Sequence, residues 1–92
     1  MTVYVDYLVK YPTDLWCHLW ADEPDELHAF AKKIGMKREW AQVSRGSIVK
    51  EFLHYDLRPS KRELAVRHGA AELSLKDWIR SQMQDTAGYV PE

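Results

Sequence analysis

The residues best suited to chemistry lie in one short segment, H-Y-D-L-R-P-S-K-R. His54 precedes Asp56 by two positions, so both side chains point to the same side if the segment is extended. A carboxylate can hold an imidazole in one tautomer, and such a histidine can act as an acid or a base near neutral pH. A turn fits the same residues equally well, with Asp56 bound to backbone and His54 packed at an edge.

Two cations follow in the same segment. Lys61 and Arg62 fall at the start of a predicted helix over residues 60–68, where positive charge opposes the helix dipole. Ser60 is the predicted N-cap, because S-K-R-E has the form of a capping box. Free backbone N–H groups at a helix start bind anions. The arrangement predicts a pocket for a phosphate or carboxylate. The alternative is that both cations reach solvent or pair with nearby carboxylates.

Other polar residues extend this candidate site. His18 lies between two tryptophans in a predicted strand, where a histidine is more often a hydrogen-bonded core residue than a ligand. His28 flanks the apolar stripe of a predicted helix. Three histidines with an aspartate would suit zinc or a non-haem metal, but no H-E-x-x-H or C-x-x-C motif is present, so no metal ligand is assigned. The candidate residues are His28, His54 and Asp56 for catalysis, and Asp6, His18, Asp22, Tyr55, Ser60, Lys61 and Arg62 for ligand binding.

The elements that must position these residues follow from propensity and periodicity. Predicted strands cover residues 2–6, 15–21, 36–42 and 70–73, residues 54–57 are extended, and predicted helices cover 24–34, 60–68 and a stretch from 75. Alternation places Trp16, His18 and Trp20 on one face of their strand. Helices regularly follow strands, which predicts an α/β layered domain with a short, mostly parallel sheet and about three helices. Ligands bind beyond the carboxyl ends of such strands, a rule that points to Asp6 and Asp22.

Length and composition limit the possible classes of protein. The 92 residues are 46% hydrophobic with a net charge of -1, which excludes a disordered chain and argues against a dedicated nucleic-acid binder. They predict a single domain over residues 1–85 with a flexible tail over 86–92. Cys17 is the only cysteine, so a disulfide scaffold is excluded and a cytoplasmic location is expected. We expect neither a secretory signal nor a membrane-spanning stretch.

Several motifs together resemble a known family. They are M-T-V-Y-V-D at the start, W-C-H-L-W-A-D at 16–22, D-E-L-H-A-F-A-K-K-I-G at 25–35, the segment at 54–62 and A-V-R-H-G-A at 65–70. The chain is similar, from residue 1 to about 78, to the bacterial and phage proteins grouped as domain of unknown function 4031. The resemblance implies a small cytosolic protein but no particular activity. It also implies that the family pattern includes His18, Asp22, His28, His54, Tyr55, Asp56, Lys61 and Arg62.

The sequence therefore predicts a domain that binds a phosphate-bearing ligand, either a nucleotide or a nucleic-acid end. Histidine-dependent phosphoester chemistry is the reaction class to test if the protein is an enzyme. The alternative is a non-enzymatic phage or bacterial accessory protein that binds a host protein through exposed tryptophan and residues 43–53. No cofactor is assigned, and a divalent metal ion is left open.

Overall fold

The structure is a computed structural model that describes residues 2–45 and 51–85. The predicted tail over 86–92 and part of the predicted partner surface, residues 46–50, lie outside the described residues. The strands are β1 (Val3–Val5), β2 (Val9–Lys10), β3 (Leu15–Ala21), β4 (Gln42–Ser44), β5 (Phe52–Leu57) and β6 (Ala71–Glu72). The α-helices are α1 (Pro24–Lys33), α2 (Pro59–Arg67) and α3 (Leu75–Asp85), and a 3₁₀ helix covers Arg38–Trp40.

The strands form one mixed sheet in the order β4-β5-β3-β1-β6, and β2 pairs with the start of β3. Of the described pairings, only β1 with β6 is parallel. The α/β class and the three helices are confirmed, but the prediction of a mostly parallel sheet is wrong. A tight turn, closed by a 2.7 Å hydrogen bond from the Tyr11 N–H to the Asp14 carbonyl, reverses the chain between β2 and β3. The connection through α1 leads to β4, which runs in the same direction as β3, and β5 then pairs antiparallel with both.

Helices α1 and α2 cover one face of the sheet. The core on this face contains strand residues such as Leu19 and Leu57 and helix residues such as Leu27 and Ala65, all fully buried. Burying a leucine contributes roughly 1.5–3 kcal/mol, so this layer supplies much of the stability. Helix α1 starts with proline at its first turn and ends at Gly35, whose φ of 86° closes the helix as predicted.

Helix α3 packs on part of the opposite face. Its Trp78 ring lies 5.7 Å from Trp20 and 6.2 Å from Phe52, centroid to centroid. Trp20 is buried there, and the strand alternation that places it on the same face as His18 is confirmed. The middle of this face, between β3 and β5, opens into a cleft.

Two local predictions are wrong. The predicted strand over 36–42 is a 3₁₀ helix followed by β4, which begins only at Gln42. Helix α2 begins at Pro59 with Arg58 as N-cap, and no side chain caps it, so Ser60 lies inside the first turn. The fixed φ of proline suits the first helical position, and the residue before a proline is held extended. In the described ranges, no helix combines the length and apolar character needed to traverse a membrane.

Candidate functional site

The cleft on the open face contains three side chains that can bind a cation. His18 lies on β3, and His54 and Asp56 lie two positions apart on β5, so the pleat points both of them to one side. The antiparallel register places His18 opposite Asp56. One donor atom from each residue lies within 4.8 Å of the other two. In the described part of the chain, this is the one such group of histidine, cysteine and carboxylate side chains.

Asp6 orients His18 from outside this group. The chain leaves the sheet between β1 and β2, so the Asp6 carboxylate, and not a backbone carbonyl, is the hydrogen-bond acceptor for the His18 N–H. It accepts hydrogen bonds from the His18 backbone N–H at 2.6 Å and from the His18 Nδ1–H at 2.7 Å. These bonds fix the ring and leave Nε2 as its free nitrogen. The hydrogen bond to Asp6 also raises the pKa of His18, although burial opposes the shift.

His54 is held by the backbone of its own strand. Its ring is buried, stacks on Phe52 at a centroid distance of 4.9 Å, and places Nδ1 3.0 Å from the Phe52 carbonyl oxygen. A carbonyl only accepts hydrogen bonds, so Nδ1 carries the proton and Nε2 of the neutral ring carries a lone pair. That nitrogen faces the Asp56 Oδ1 at 3.4 Å. In this tautomer neither Nε2 nor Oδ1 carries a hydrogen, so the contact between them becomes attractive only when a proton or a metal ion lies between the two atoms.

Asp56 connects this group to the walls of the cleft. Its second oxygen, Oδ2, accepts a hydrogen bond from Gln42 Nε2 at 3.1 Å. The cleft has a volume of about 610 Å³, and its lining includes Lys10, Tyr11 and Trp16 besides the three donor residues. Lys10 forms no ion pair with any described residue, so its charge is available to a ligand. The arrangement can hold a cation and present it to an anionic molecule in the cleft.

Comparison with known proteins places the chain in a family. A family model described as "Protein of unknown function (DUF4031)" matches residues 3–85. The chain belongs to the DUF4031 family. No curated protein and no solved structure matches it. The family membership confirms the resemblance seen in the sequence motifs, and it leaves the function to be argued from the cleft.

The structure of this DUF4031 protein separates His28 and Tyr55 from the donor group. Tyr55 neighbours His54 on β5 and therefore points to the opposite face, where it is fully buried. Its hydroxyl forms a hydrogen bond with Nδ1 of His28, on α1, at 2.7 Å. Burial, reinforced by the charge of Arg38, lowers the pKa of His28. The catalytic candidates His54 and Asp56 thus lie together, whereas His28 lies on the other side of the sheet.

The two predicted anion-binding cations have partners within the protein. Lys61 Nζ donates to the carbonyl of Ile34, at the end of α1, at 2.7 Å. Arg62 donates from Nε to the Asp6 carbonyl at 2.8 Å and from a terminal nitrogen to Glu72 at 2.9 Å. The anion pocket at the start of α2 stays a prediction, but the contacts of both cations give each another role. Lys61 lies at the negative end of the α1 dipole, which explains a lysine at the start of α2.

Asp22 and Cys17 also lie apart from the donor group. Asp22 follows β3 and accepts hydrogen bonds from the Thr2 N–H and the Tyr4 hydroxyl, at the opposite end of β1 from Asp6. The carboxyl-end rule brings Asp6 and Asp22 to one edge only in a parallel sheet, so the antiparallel pairing separates them. Cys17 is buried as predicted, and burial raises the pKa of its thiol to about 12, which leaves it unreactive.

Several cleft residues were not predicted from the sequence. Trp16 could have been found, because alternation places it on the face of His18. Lys10 could not, because its position depends on the pairing of β2 with β3. Gln42 belongs to β4, which the sequence did not reveal. The carbonyl of Phe52 carries no sequence signal as a hydrogen-bond acceptor.

Proposed function

We propose that this DUF4031 protein binds a divalent transition-metal ion and uses it to hold a phosphate-bearing ligand. The ligands to the ion are Nε2 of His18, Nε2 of His54 and the carboxylate of Asp56. The observation that carries the proposal is the approach of His54 Nε2 to 3.4 Å from an Asp56 oxygen, while Nδ1 of the same ring faces the Phe52 carbonyl. A metal ion at this position would bind both the nitrogen and the oxygen.

The separation of His54 Nε2 from the Asp56 oxygen suits an ion of the zinc class. Ligands about 2.1 Å from a tetrahedral ion lie about 3.4 Å from one another, which matches the separation of His54 and Asp56. Metal-binding histidines usually donate their other ring N–H to a carboxylate or a backbone carbonyl, which fixes the ring and raises its basicity. His18 donates to Asp6 and His54 donates to the Phe52 carbonyl. Three protein ligands leave a coordination position for water or substrate.

The cleft favours an anionic ligand at that position. Lys10 supplies an additional positive charge beside the donor group. A phosphate oxygen bound to the ion and to Lys10 would fix a nucleotide or a nucleic-acid end. Phosphoester hydrolysis is the reaction that fits. His18, His54 and Asp56 would hold the ion, which would supply a water of lowered pKa as the nucleophile toward phosphorus; the phosphorus–oxygen bond to the leaving group would break, and solvent would take the proton of the water and protonate the leaving oxygen. In this scheme His54 binds the ion and does not transfer protons.

Metal binding is tested first, with Co²⁺ as a spectroscopic probe and Zn²⁺ by isothermal titration calorimetry. Wild-type protein should bind one ion. The variants His54→Ala and Asp56→Asn should lose more affinity than the roughly 10–100-fold that removal of an outer-shell partner costs. His68→Ala is the matched control, because His68 is exposed and lies outside the donor group. Absence of binding to the wild-type protein would mean that a proton occupies the position between His54 and Asp56, and the proposal would be abandoned.

The phosphate part of the proposal is tested with nucleoside monophosphates and with bis-p-nitrophenyl phosphate, in the presence of Zn²⁺ or Mn²⁺. Lys10→Ala should weaken binding, whereas Lys32→Met, at an exposed position in the last turn of α1, should not. Equal binding by wild-type and Lys10→Ala protein would contradict the proposal. If the protein binds the metal but neither binds nor hydrolyses the phosphate compounds, the metal site stands and the proposal of a phosphate-bearing ligand is refuted.

A second candidate function is binding to a host protein, and one observation favours it. Trp40 and Val43 are large apolar side chains that are 46% and 53% exposed beside β4. If this function is correct, Val43→Lys abolishes capture of a specific partner from host extract while His54→Ala leaves it intact. Equal capture by wild-type and Val43→Lys protein would exclude this surface.

A further inference from the structure

A second cleft adjoins the candidate metal site. Its volume is about 550 Å³, and Trp16, Gln42 and Asp56 line it as well as the first cleft. Asp56 faces His54 with one oxygen and accepts the Gln42 amide with the other. A molecule in the second cleft is therefore separated from the candidate metal site by this carboxylate and amide.

The walls of the second cleft are mostly aromatic and apolar. Trp16 comes from β3, Trp40 from the 3₁₀ helix, and Met36 from the segment after α1. Both indoles carry a cation over one ring: the Arg58 guanidinium lies 5.0 Å from the Trp16 centroid, and Lys37 Nζ lies 5.5 Å from that of Trp40. Trp40 is 46% exposed, so part of its surface is available for stacking.

Polar groups at the same cleft decide what kind of ring fits. Glu39, Gln42 and Lys61 lie beside the indoles and offer a carboxylate, an amide and an ammonium group. A hydrocarbon ring would satisfy the indoles but would offer these polar groups no hydrogen bonds. A nucleobase has a flat face for stacking and an edge of donors and acceptors, so it matches both parts of the lining.

We infer that this second cleft binds the base of a nucleotide, stacked on Trp16 and Trp40, with the phosphate directed past Asp56 toward the metal. The position of the phosphate rests on the proposed function, whereas binding of the base does not. The observation specific to this inference is the continuity of an aromatic cleft with the donor group through shared residues.

The test separates the base from the phosphate. Adenosine, guanosine, cytidine and uridine are titrated into metal-free protein in EDTA by isothermal titration calorimetry, and their 5′-monophosphates are titrated in the presence of Zn²⁺. At least one nucleoside should bind without metal. Trp40→Ala should weaken that binding about tenfold, because loss of a base–aromatic stack has an effect of this order. Trp40→Phe keeps an aromatic ring and should retain most of the affinity, and circular dichroism should show that both variants are folded.

Three results would overturn the inference. They are no binding of any nucleoside, equal binding by wild-type and Trp40→Ala protein, and binding of N-acetyltryptophanamide at least as tight as that of the best nucleoside. The last result would indicate a cleft for a protein side chain. If a nucleoside binds but Zn²⁺ and a 5′-phosphate add nothing, the base cleft stands and the metal proposal fails. His54→Ala should remove only the gain from metal and phosphate.

Discussion

The two faces of the sheet use similar polar residues in opposite ways. On the face covered by α1 and α2, the Tyr55 hydroxyl is hydrogen-bonded to His28, and Lys61 and Arg62 donate to backbone carbonyls. On the other face, His18 and His54 each use Nδ1 in a hydrogen bond within the protein, and Nε2 of His54 faces Asp56 in the cleft.

This difference shows how a polar side chain with a structural role can be distinguished from one that could bind a ligand. Residue type does not separate them, because histidines and cations occur on both sides. What separates them is whether the protein itself satisfies every donor and acceptor. The Arg62 side chain is 15% exposed and binds Asp6 and Glu72, whereas Lys10 in the open cleft has no ion-pair partner among the described residues. Unsatisfied lone pairs that converge are the feature that points to a ligand.

The largest effect on stability is expected from Arg62→Ala. This change removes a hydrogen bond to the Asp6 carbonyl and one to Glu72, so it should lower the free energy of unfolding by roughly 2–3 kcal/mol. Urea unfolding measures the loss. Arg67→Ala is the control, because its exposed pair with Glu63 should contribute only about 0.2–0.5 kcal/mol. Equal losses in the two variants would show that Arg62 is not a structural anchor.

Asp6→Asn is expected to affect the open face selectively. An outer-shell carboxylate that orients a metal-binding histidine typically contributes about 10–100-fold to metal affinity. Zn²⁺ titration of the variant should show a loss in this range. Asp22→Asn is the matched control, since Asp22 also accepts two hydrogen bonds from the edge of the sheet but lies away from the cleft. A similar loss of metal affinity in both variants would mean that general destabilisation is the cause.

Lys61→Met should have a moderate effect on stability. The change keeps the apolar stem but removes a charged hydrogen bond to the end of α1, a loss of about 1–2 kcal/mol. In a domain of this size, the melting temperature should fall by about 4–8 °C per kcal/mol. Lys32→Met, at an exposed position in the last turn of α1, serves as control. Equal melting temperatures for Lys61→Met and Lys32→Met would show that the hydrogen bond of Lys61 to Ile34 does not stabilise the fold.

Changes in pH are expected to have the smallest effects on the free energy of unfolding, with opposite signs for the histidines on the two faces. The pKa of His18 is raised, so its contribution to stability is present below the unfolded pKa of about 6.5 and is lost as pH rises through the folded pKa. The pKa of His28 is lowered, so its contribution is present above about 6.5 and is lost as pH falls through the folded pKa.

Urea unfolding of metal-free protein at a series of pH values measures both contributions. Relative to wild type, His18→Gln should be most destabilised on the acid side and His28→Gln on the alkaline side. Parallel pH curves for the two variants would show that the faces do not differ in this respect.

The sequence was sufficient for some parts of this fold. Pro24 and Gly35 set the ends of α1, because their backbone preferences act locally. The alternation in β3 placed His18 and Trp20 on one face without any knowledge of the neighbouring strands. The sheet direction was not predictable in this way, because it depends on strands β2 and β4, which the sequence did not reveal and which pair antiparallel with β3 and β5.

The candidate site was predictable as residues but not as an arrangement. His18, His54, Asp56 and Asp6 were all singled out by type, and the two-residue spacing on β5 correctly placed His54 beside Asp56. The pairing of Asp6 with His18 was not visible, because it depends on the break between β1 and β2. The partner of Lys61 was not visible either, because Ile34 lies 27 residues away in the chain.

The sequence by itself determined which residues alternate on each strand, where α1 begins and ends, and which side chains have donors and acceptors. These properties depend on a few neighbouring residues and on fixed backbone periods. Only the tertiary structure decided which histidines keep a free lone pair and which cations are already bound. That outcome depends on strand register and helix packing, through which atoms distant in the chain come within hydrogen-bond distance.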